Sequence, residues 1–206
     1  MEIIKIVLFD YDGVMTLDKS GTESTCNYIS KNLNIDNNIF ENEYRKYKSD
    51  LTYGKVTHEE IWKLLCENIN MDIPISVLHD SFYNTPIDNE MHEFVLKIKN
   101  QNIKTGLITN NRVDRMEFIN KKFDLNKYFD IIAISGVLGF GKESDKIFIE
   151  TLEKMKIKPA ESIFIDNQEK NLTIPKRLGI KTIHYNDKER NLSELENKIK
   201  EYGIIM

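Results

Sequence analysis

The sequence predicts an α/β fold with a parallel sheet, and three observations lead to this prediction. Short apolar segments of strand length recur along the chain, and segments with helical periodicity separate them. Strands that alternate with helices in this way are typical of parallel sheets with right-handed crossovers and helices on both faces. About 70 largely helical residues lie between the first and second strands, far more than one crossover needs, so we expect a separate helical cap.

The first predicted strand is the most informative segment of the chain. Residues 3–16 have the sequence IIKIVLFDYDGVMT, in which an apolar run ends in Asp10, Asp12 and Gly13. A strand buried on both faces of a parallel sheet has such a run, and ligands bind beyond the carboxyl ends of such strands. We therefore expect this strand to deliver two carboxylates to a ligand-binding loop. Taken alone, the same residues also fit an ordinary turn.

The helical stretch after the first strand is predicted to start with a loop over 17–25, because these residues are polar and include a glycine. Three helices and a short fourth follow, since apolar side chains recur at the 3.6-residue spacing. Thr57 and Glu60 form the capping-box pattern at the start of the third helix. The predicted division of the chain is a cap at 18–86 and a core at 1–17 and 87–206.

Four further strands are predicted in the second half of the chain, at 103–108, 129–135, 162–165 and 182–185. Polar residues follow three of them: Thr109 and Asn110 after the first, Lys142 in a glycine-containing loop after the second, and Asp166 with Asn167 after the third. Because the carboxyl ends of neighbouring parallel strands meet at one crevice, we expect these side chains to lie near Asp10 and Asp12.

The residue types at these strand ends suit phosphoryl transfer. A carboxylate such as Asp10 can attack phosphorus and form an aspartyl-phosphate, while Asp12 can protonate the leaving oxygen and then activate water. Mg²⁺ prefers oxygen ligands, and Asp10 and Asp166 can supply two of them. Lys142 offers a cation, and Thr109 a hydroxyl, to the phosphoryl oxygens.

Four motifs in this order resemble the haloacid dehalogenase-like superfamily of hydrolases. They are DYDGVMT at 10–16, LITN at 107–110, Lys142 before a helix, and FIDN at 164–167. The resemblance covers essentially the full chain. It implies a Rossmann-like core with strand order 5-4-1-2-3, a helical cap inserted after the first strand, and a Mg²⁺-dependent two-step phosphatase mechanism. The segments YGKVTHEEIW at 53–62, TNNR at 109–112 and FIDNQEKN at 164–171 resemble the branch that acts on small phosphomonoesters such as sugar phosphates.

By the same resemblance, Asp10 is the nucleophile and a metal ligand, and Asp12 is the general acid/base and a main-chain metal ligand. The resemblance further implies three phosphate-binding residues, Thr109, Asn110 and Lys142, and a second metal-binding carboxylate, Asp166. Glu143 follows the lysine at a position where the family usually has proline. This places a carboxylate near the phosphate site unless the side chain turns outward.

Four further residues are weaker candidates for the site: Asn167, Asn171, Tyr53 and His58. Asn167 stands where the family often has a second acid, and an amide there can orient a metal-bound water. We expect Asn171 to tether the loop that contains Asp166, or else to be solvated on a helix. Tyr53 and His58 lie on either side of a glycine between two cap helices. They are candidate substrate contacts, with packing inside the cap as the alternative.

Four other functions share parts of this sequence pattern with the phosphatase. A dehalogenase of the same superfamily needs no second acid to protonate a halide, so Asp12 favours phosphoester chemistry. A phosphomutase remains an alternative, as does a non-catalytic regulatory protein that retains the fold. A two-component receiver domain is disfavoured, because it is shorter, lacks a helical insertion and carries its acidic pair and phosphoacceptor on different strands.

The composition limits the partners and the location that we expect. Of 206 residues 40% are hydrophobic and 30% charged, with a net charge of −4, which gives no reason to expect nucleic acid. The N-terminal apolar run is too short for a signal peptide or a membrane span, so we expect a cytoplasmic protein without a membrane partner. Cys26 and Cys66 are far apart, which argues against a zinc site or a redox pair. We expect a monomer or homodimer that uses Mg²⁺ on a small phosphorylated metabolite.

Overall fold

A five-stranded parallel sheet lies at the centre of the computed structural model, which describes residues 2–205. Its strands are β1 (Ile6–Phe9), β2 (Lys104–Thr109), β3 (Ile131–Ile134), β4 (Ser162–Asp166) and β5 (Lys181–His184). Their order is β3-β2-β1-β4-β5, and all neighbouring pairs are parallel. The predicted Rossmann-like α/β class and the predicted order 5-4-1-2-3, which is the same order counted from the other edge, are confirmed.

The helices fall into a group of five before α6 and a group of six after β2. The first group is α1 (Gly21–Leu33), α2 (Asn37–Lys46), α3 (Lys48–Thr52), α4 (His58–Asn68) and α5 (Ile75–Tyr83), followed by α6 (Asn89–Lys99). The second group is α7 (Val113–Phe123), α8 (Leu125–Tyr128), α9 (Ser135–Leu138), α10 (Asp145–Met155), α11 (Thr173–Leu178) and α12 (Leu192–Lys200). Within residues 2–205, none of these helices has the length and apolar character needed to span a bilayer.

The register of the central strand brings the sequence motifs together. Phe9 of β1 pairs with Leu107 of β2 on one side and with Ile165 of β4 on the other. The main-chain N–H of Asp10 continues this pairing, because it donates to the carbonyl of Ile165 at 2.9 Å. Asp10 therefore leaves the sheet directly beside Asp166, at the carboxyl end of both strands.

Two apolar cores cover the two faces of the sheet. All four residues of β1 are buried, and their side chains alternate between the two sides. Val7 and Phe9 pack in the core formed with α6, α7 and α12, whereas Ile6 and Leu8 pack in the core formed with α10 and α11. Burial on both faces explains why the strand has an almost continuous apolar sequence.

The helices α1 to α5 have an apolar core of their own. Its largest members are Phe40, Tyr44, Trp62 and Phe82, and none of them belongs to the two clusters that cover the sheet. The indole N–H of Trp62 donates to the carbonyl of Ile73 at 2.7 Å, which satisfies the one polar group of this side chain. A separate core is the physical basis for treating 18–86 as a cap domain, and we propose this boundary.

The chain enters and leaves the cap through two adjacent linkers. The N–H of Leu17 donates to the carbonyl of Pro86 at 2.8 Å, and the N–H of Asp88 donates to the carbonyl of Met15 at 2.9 Å. Arg190, from the loop after β5, donates to the Asp88 carboxylate at 2.8 Å. These contacts hold both linkers at the carboxyl end of the sheet, close to the carboxylates that follow β1.

The predicted loop at 17–25 is wrong in its second half, because α1 begins at Gly21. The hydroxyl oxygen of Ser20 accepts a hydrogen bond from the N–H of Glu23 at 3.2 Å, so Ser20 is the N-cap of this helix. The glycine that suggested a loop is the first helical residue. A serine followed three residues later by a glutamate is a helix-start pattern, and here it outweighed the helix-breaking tendency of glycine.

We expect Leu65→Ala to destabilise the cap selectively. Leu65 is completely buried in the cap core, and truncation of such a leucine costs about 2–5 kcal/mol. Urea unfolding measures the free energy, and hydrogen exchange should accelerate in α1 to α5 while the strands keep their protection. The matched control is Leu64→Ala on the same helix, where the side chain is 51% exposed. Equal acceleration in the cap and in the sheet would contradict a separate cap domain.

Candidate active site

The carboxyl end of the sheet forms the floor of a pocket of about 430 Å³, which the cap covers through α2 and α3. Seven residues singled out in the sequence line it: Asp10, Asp12, Tyr53, Thr109, Asn110, Lys142 and Asn171. Three others do not line it: His58, Asp166 and Asn167. The topology has therefore brought most of the predicted site into one cavity, although its members come from five separate parts of the chain.

Lys142 connects the carboxylates that end the two central strands. Its Nζ lies 2.7 Å from Asp10 Oδ2 and 2.7 Å from Asp166 Oδ2, and all three side chains are buried. Asn171 Nδ2 donates to both oxygens of Asp166, at 3.1 and 3.0 Å. Asn171 thus holds the carboxylate of Asp166 in place, which is the first of the two roles considered for it.

The two carboxylates share a single lysine, so the floor of the pocket has an excess of negative charge. Burial and the charge of Asp166 raise the pKa of Asp10, and the ammonium of Lys142 opposes this rise. Burial alone would lower the pKa of Lys142, but Asp10 and Asp166 together raise it. A site with one unbalanced negative charge favours the binding of a further cation.

Oxygen donors suited to a hard cation are present at this place. Asn167 Oδ1 is buried and has no hydrogen-bond partner in the part of the chain that the structure describes, while its Nδ2 donates to Asp187 at 3.0 Å. Within residues 2–205, no cluster of three or more His, Cys, Asp or Glu side chains forms a metal site by itself. A metal here would therefore also use amide or main-chain oxygens, which are ordinary ligands for Mg²⁺ and Ca²⁺.

Asp12 has a different environment from Asp10. Arg115 binds it with a fork of two hydrogen bonds, from Nη2 to Oδ1 at 2.8 Å and from Nη1 to Oδ2 at 3.0 Å. Asn111 Nδ2 donates to Oδ2 at 2.8 Å. Arg115 is completely buried, and such bidentate pairs fix the orientation of a carboxylate. The two acids of the first motif thus have separate cationic partners.

Arg115 and Asn111 are site residues that the sequence reasoning missed. Arg115 lies four residues before Ile119, so it occupies the buried stripe of α7 rather than its solvent face. A basic residue on a stripe that is otherwise apolar was the signal that could have revealed it. The cap packs directly on this side chain, because a Cβ at Gly21 would lie 2.6 Å from Arg115 Nη1.

Asn110 organises the loop of Lys142. Its Oδ1 accepts a hydrogen bond from the N–H of Lys142 at 2.8 Å, and its Nδ2 donates to Glu143 at 3.3 Å. Glu143 also accepts from the N–H of Gly141 at 2.9 Å and does not line the pocket. The carboxylate at the position of the usual proline is therefore held by Gly141 of its own loop and by Asn110.

His58 lies behind the wall of the pocket. Its Nε2 is 2.7 Å from the hydroxyl of Tyr44, and its Nδ1 is 2.6 Å from Asp114 Oδ2 on α7. The ring is completely buried, and this burial lowers its pKa although Asp114 opposes the change. His58 joins the cap to the core and has no open path to the pocket, so its position matches packing rather than substrate contact. Tyr53, by contrast, faces the pocket.

Comparison with known proteins assigns the family. The profile of the haloacid dehalogenase-like hydrolases matches residues 4–179. The chain belongs to this family. Among its relatives is the D-ribitol-5-phosphate phosphatase of Bacteroides thetaiotaomicron, 24% identical over 87% of this chain and 91% of the relative.

Other relatives are longer proteins. Mouse acyl-CoA dehydrogenase family member 10 is 27% identical over 67% of this chain, which spans 13% of its length. The chain spans less than half the length of several curated relatives that it matches. A HAD family enzyme of Bacteroides thetaiotaomicron, solved in complex with magnesium and inorganic phosphate, superposes with a TM-score of 0.74. It is 21% identical and covers 93% of this chain and 98% of its own, a likeness that shows the fold.

We expect Arg115→Met to lower the free energy of unfolding by about 3–5 kcal/mol, because it leaves the buried carboxylate of Asp12 without its partner. The double variant with Asp12→Asn should regain part of this loss, since the amide carries no charge. Urea unfolding measures both values. Lys198→Met is the control, because its ion pair with Glu194 is largely exposed and contributes at most about 1 kcal/mol. If the single and double variants lose the same free energy, the ion pair is not the cause.

Proposed function

We propose that this HAD-like hydrolase cleaves a small phosphomonoester through a phosphorylated Asp10. The observation that carries this proposal is the bridge of Lys142 from Asp10, which lines the pocket, to the buried Asp166, with Thr109 in the same lining. A nucleophile, a cation for the phosphoryl oxygens and a hydroxyl are thereby presented to one cavity. The pocket volume of about 430 Å³ suits a small metabolite.

In the first step, a carboxylate oxygen of Asp10 attacks phosphorus, and the bond between phosphorus and the ester oxygen breaks. The N–H of Tyr11 donates to Asp10 Oδ1 at 2.7 Å and Lys142 binds Oδ2, which fixes the orientation of the nucleophile. The leaving oxygen needs a proton, and Asp12 donates it once one of its oxygens has been released by Arg115 or Asn111 and has taken up a proton. The products of this step are the free alcohol and the phosphoryl group bound to Asp10.

In the second step, water attacks the phosphorus, and Asp12 takes up the proton that the water loses. The bond between phosphorus and the Asp10 oxygen breaks, which releases inorganic phosphate and restores the carboxylate. Because Arg115 and Asn111 occupy both oxygens of Asp12 in the structure, the side chain must exchange one of these contacts to transfer a proton. Lys142, which binds Asp10 and Asp166, has a third N–H that can donate to a phosphoryl oxygen and offset its charge in both steps.

The donor set also fits Mg²⁺. Asp10, Asp166 and the main-chain carbonyl of Asp12 would hold the ion, and the unpartnered Oδ1 of Asn167 offers a further oxygen nearby. When bound, Mg²⁺ supplies positive charge that offsets the phosphoryl oxygens and the excess negative charge of the two carboxylates. The magnesium and phosphate complex of the structural neighbour supports this assignment.

Asp10→Asn should abolish the hydrolysis of p-nitrophenyl phosphate, because an amide is not a nucleophile for phosphorus. We expect a loss of about 10³-fold or more in kcat, comparable to removal of other catalytic nucleophiles. EDTA should inactivate the unsubstituted protein, and added Mg²⁺ should restore its activity. The control is Asp72→Asn, at an exposed position outside the pocket. Turnover by Asp10→Asn at the rate of this control would exclude Asp10 as the nucleophile.

Asp12→Asn should slow the hydrolysis of alkyl phosphates far more than that of p-nitrophenyl phosphate. An alkoxide requires protonation, whereas nitrophenolate leaves as a stable anion, and a general acid contributes about 10²–10⁴-fold. A series of esters with leaving groups of different pKa, compared by kcat/KM in both proteins, measures the effect. If both proteins depend on leaving-group pKa with the same slope, Asp12 does not donate the proton.

A further inference from the structure

We propose that the substrate carries a second anionic group, a carboxylate or another phosphate, which binds to Lys48 of the cap and to Arg112 and Lys170 of the core. This inference rests on the proposed phosphatase function, because the first anionic group is the phosphoryl group that Asp10 attacks. It extends that function by naming the class of substrate.

The lining of the pocket is strongly basic, although the chain as a whole has a net charge of −4. Two carboxylates line the pocket, Asp10 and Asp12. The basic side chains that line it are Lys19, Arg45, Lys48, Arg112, Lys142 and Lys170. The lining therefore has a surplus of positive charge, which predicts a ligand with several negative charges.

Most of these basic residues have no carboxylate partner in the protein. Lys142 binds Asp10, and Arg45 binds Glu41 one turn earlier on α2. The ion pairs among residues 2–205 include none of four lining residues: Lys19, Lys48, Arg112 and Lys170. Since Asp12 is already paired with Arg115, the two catalytic carboxylates do not neutralise them.

Arg112 is the decisive residue of this group. It is 3% exposed, and its guanidinium group donates one hydrogen bond within residues 2–205, from Nη2 to the hydroxyl of Thr22 at 2.8 Å. Its Nε is buried and has no hydrogen-bond partner in the same range, and its Cζ lies 5.5 Å from the centre of the Tyr44 ring. A buried guanidinium without a carboxylate is costly, and a ligand anion would satisfy both its charge and its free donors.

Lys48, the first residue of α3, extends this group to the cap. The residue is exposed overall, but partial burial of its ammonium lowers the pKa, and the positive charges of Arg112, Arg45 and Lys170 lower it further. These cations therefore lie close enough to repel one another across the pocket. An anion placed among them would remove the repulsion and would contact the cap and the core together.

The second group is distinct from the transferred phosphoryl group. The proposed phosphoryl site is built by Asp10 and Thr109 at the ends of β1 and β2 and by Lys142 in the loop before α10, where Lys142 binds carboxylates. Arg112 and Lys48 are not connected to these residues by any ion pair within residues 2–205. The competing explanation concerns the basic wall of the pocket, formed by Lys19, Lys48, Arg112 and Lys170. This wall would only attract phosphate esters by long-range steering, which would act on all of them alike.

Binding of non-hydrolysable phosphonates tests the proposal without turnover. Titration calorimetry with Mg²⁺ present compares alkylphosphonates of three and of five carbons that end in a hydroxyl, a carboxylate or a second phosphonate. We expect at least one of the anionic compounds to bind about tenfold more tightly than its hydroxyl counterpart, as expected for hydrogen bonds to charged groups. The preferred end group shows whether the second anion of the substrate is a carboxylate or a phosphate.

Variants then locate the site. Lys48→Gln and Lys170→Gln should each measurably reduce the preference for the anionic end group, by about tenfold at most. Lys48→Arg should retain the preference, because the charge is kept. Arg112→Lys should reduce it by loss of the fork geometry. The control is Lys63→Gln, at an exposed position on α4 outside the pocket.

Three results would decide the matter. Equal affinity for hydroxyl-ended and anion-ended compounds in the unsubstituted protein overturns the second anionic site. An equal loss of affinity for all compounds in Lys48→Gln also overturns it, in favour of steering. If anion-ended compounds bind tightly while p-nitrophenyl phosphate is not hydrolysed, the second site stands and the phosphatase function fails.

Discussion

The parallel pairing of β1 with β2 and β4 is the constraint on which the rest of the structure depends. It places Asp10 beside Asp166, which is 156 residues later in the chain, and both residues lie at the carboxyl end of the sheet. Neither carboxylate would be stable there alone, because both are buried. Lys142 makes this arrangement tolerable, and its loop is held in turn by Asn110. The geometry of the floor thus follows from one register and one shared cation.

Helix α7 connects the floor, the cap and the wall of the pocket. Its N-cap residue is Arg112, and its buried residues include Arg115, which binds Asp12. Asp114 on the same helix pairs with His58 of the cap, and Phe118 packs against the apolar core of the cap. A movement of the cap relative to α7 would therefore disturb Arg115, the partner of the proposed general acid Asp12, and the proposed second anionic site at once. This is a physical route by which substrate contact with the cap can influence the chemistry.

The charges of the pocket are divided between two regions with opposite signs. The floor has two carboxylates for one lysine, and it fits a metal ion. The wall has four basic side chains without ion-pair partners in residues 2–205, and it fits an anion. A phosphate ester would carry negative charge and a divalent ion positive charge. The basic wall would therefore be complementary to the ester, and the floor to the ion. Family membership alone does not require the basic wall.

Local sequence determined the strands, the parallel class and the acids that follow the strands. Buried strands need continuous apolar runs, and crossover topology places their ends together, so Asp10, Thr109 and Asp166 were predictable as neighbours. Only the tertiary structure decided that Arg115 would pair with Asp12, which lies 103 residues away, and that His58 would be buried behind the pocket. The first contact depends on how α7 packs beside the end of β1, and the second on how the cap packs on α7. Both arise from long-range packing of side chains. Periodicity along the chain reports which face of a helix is buried, but not what that face will meet.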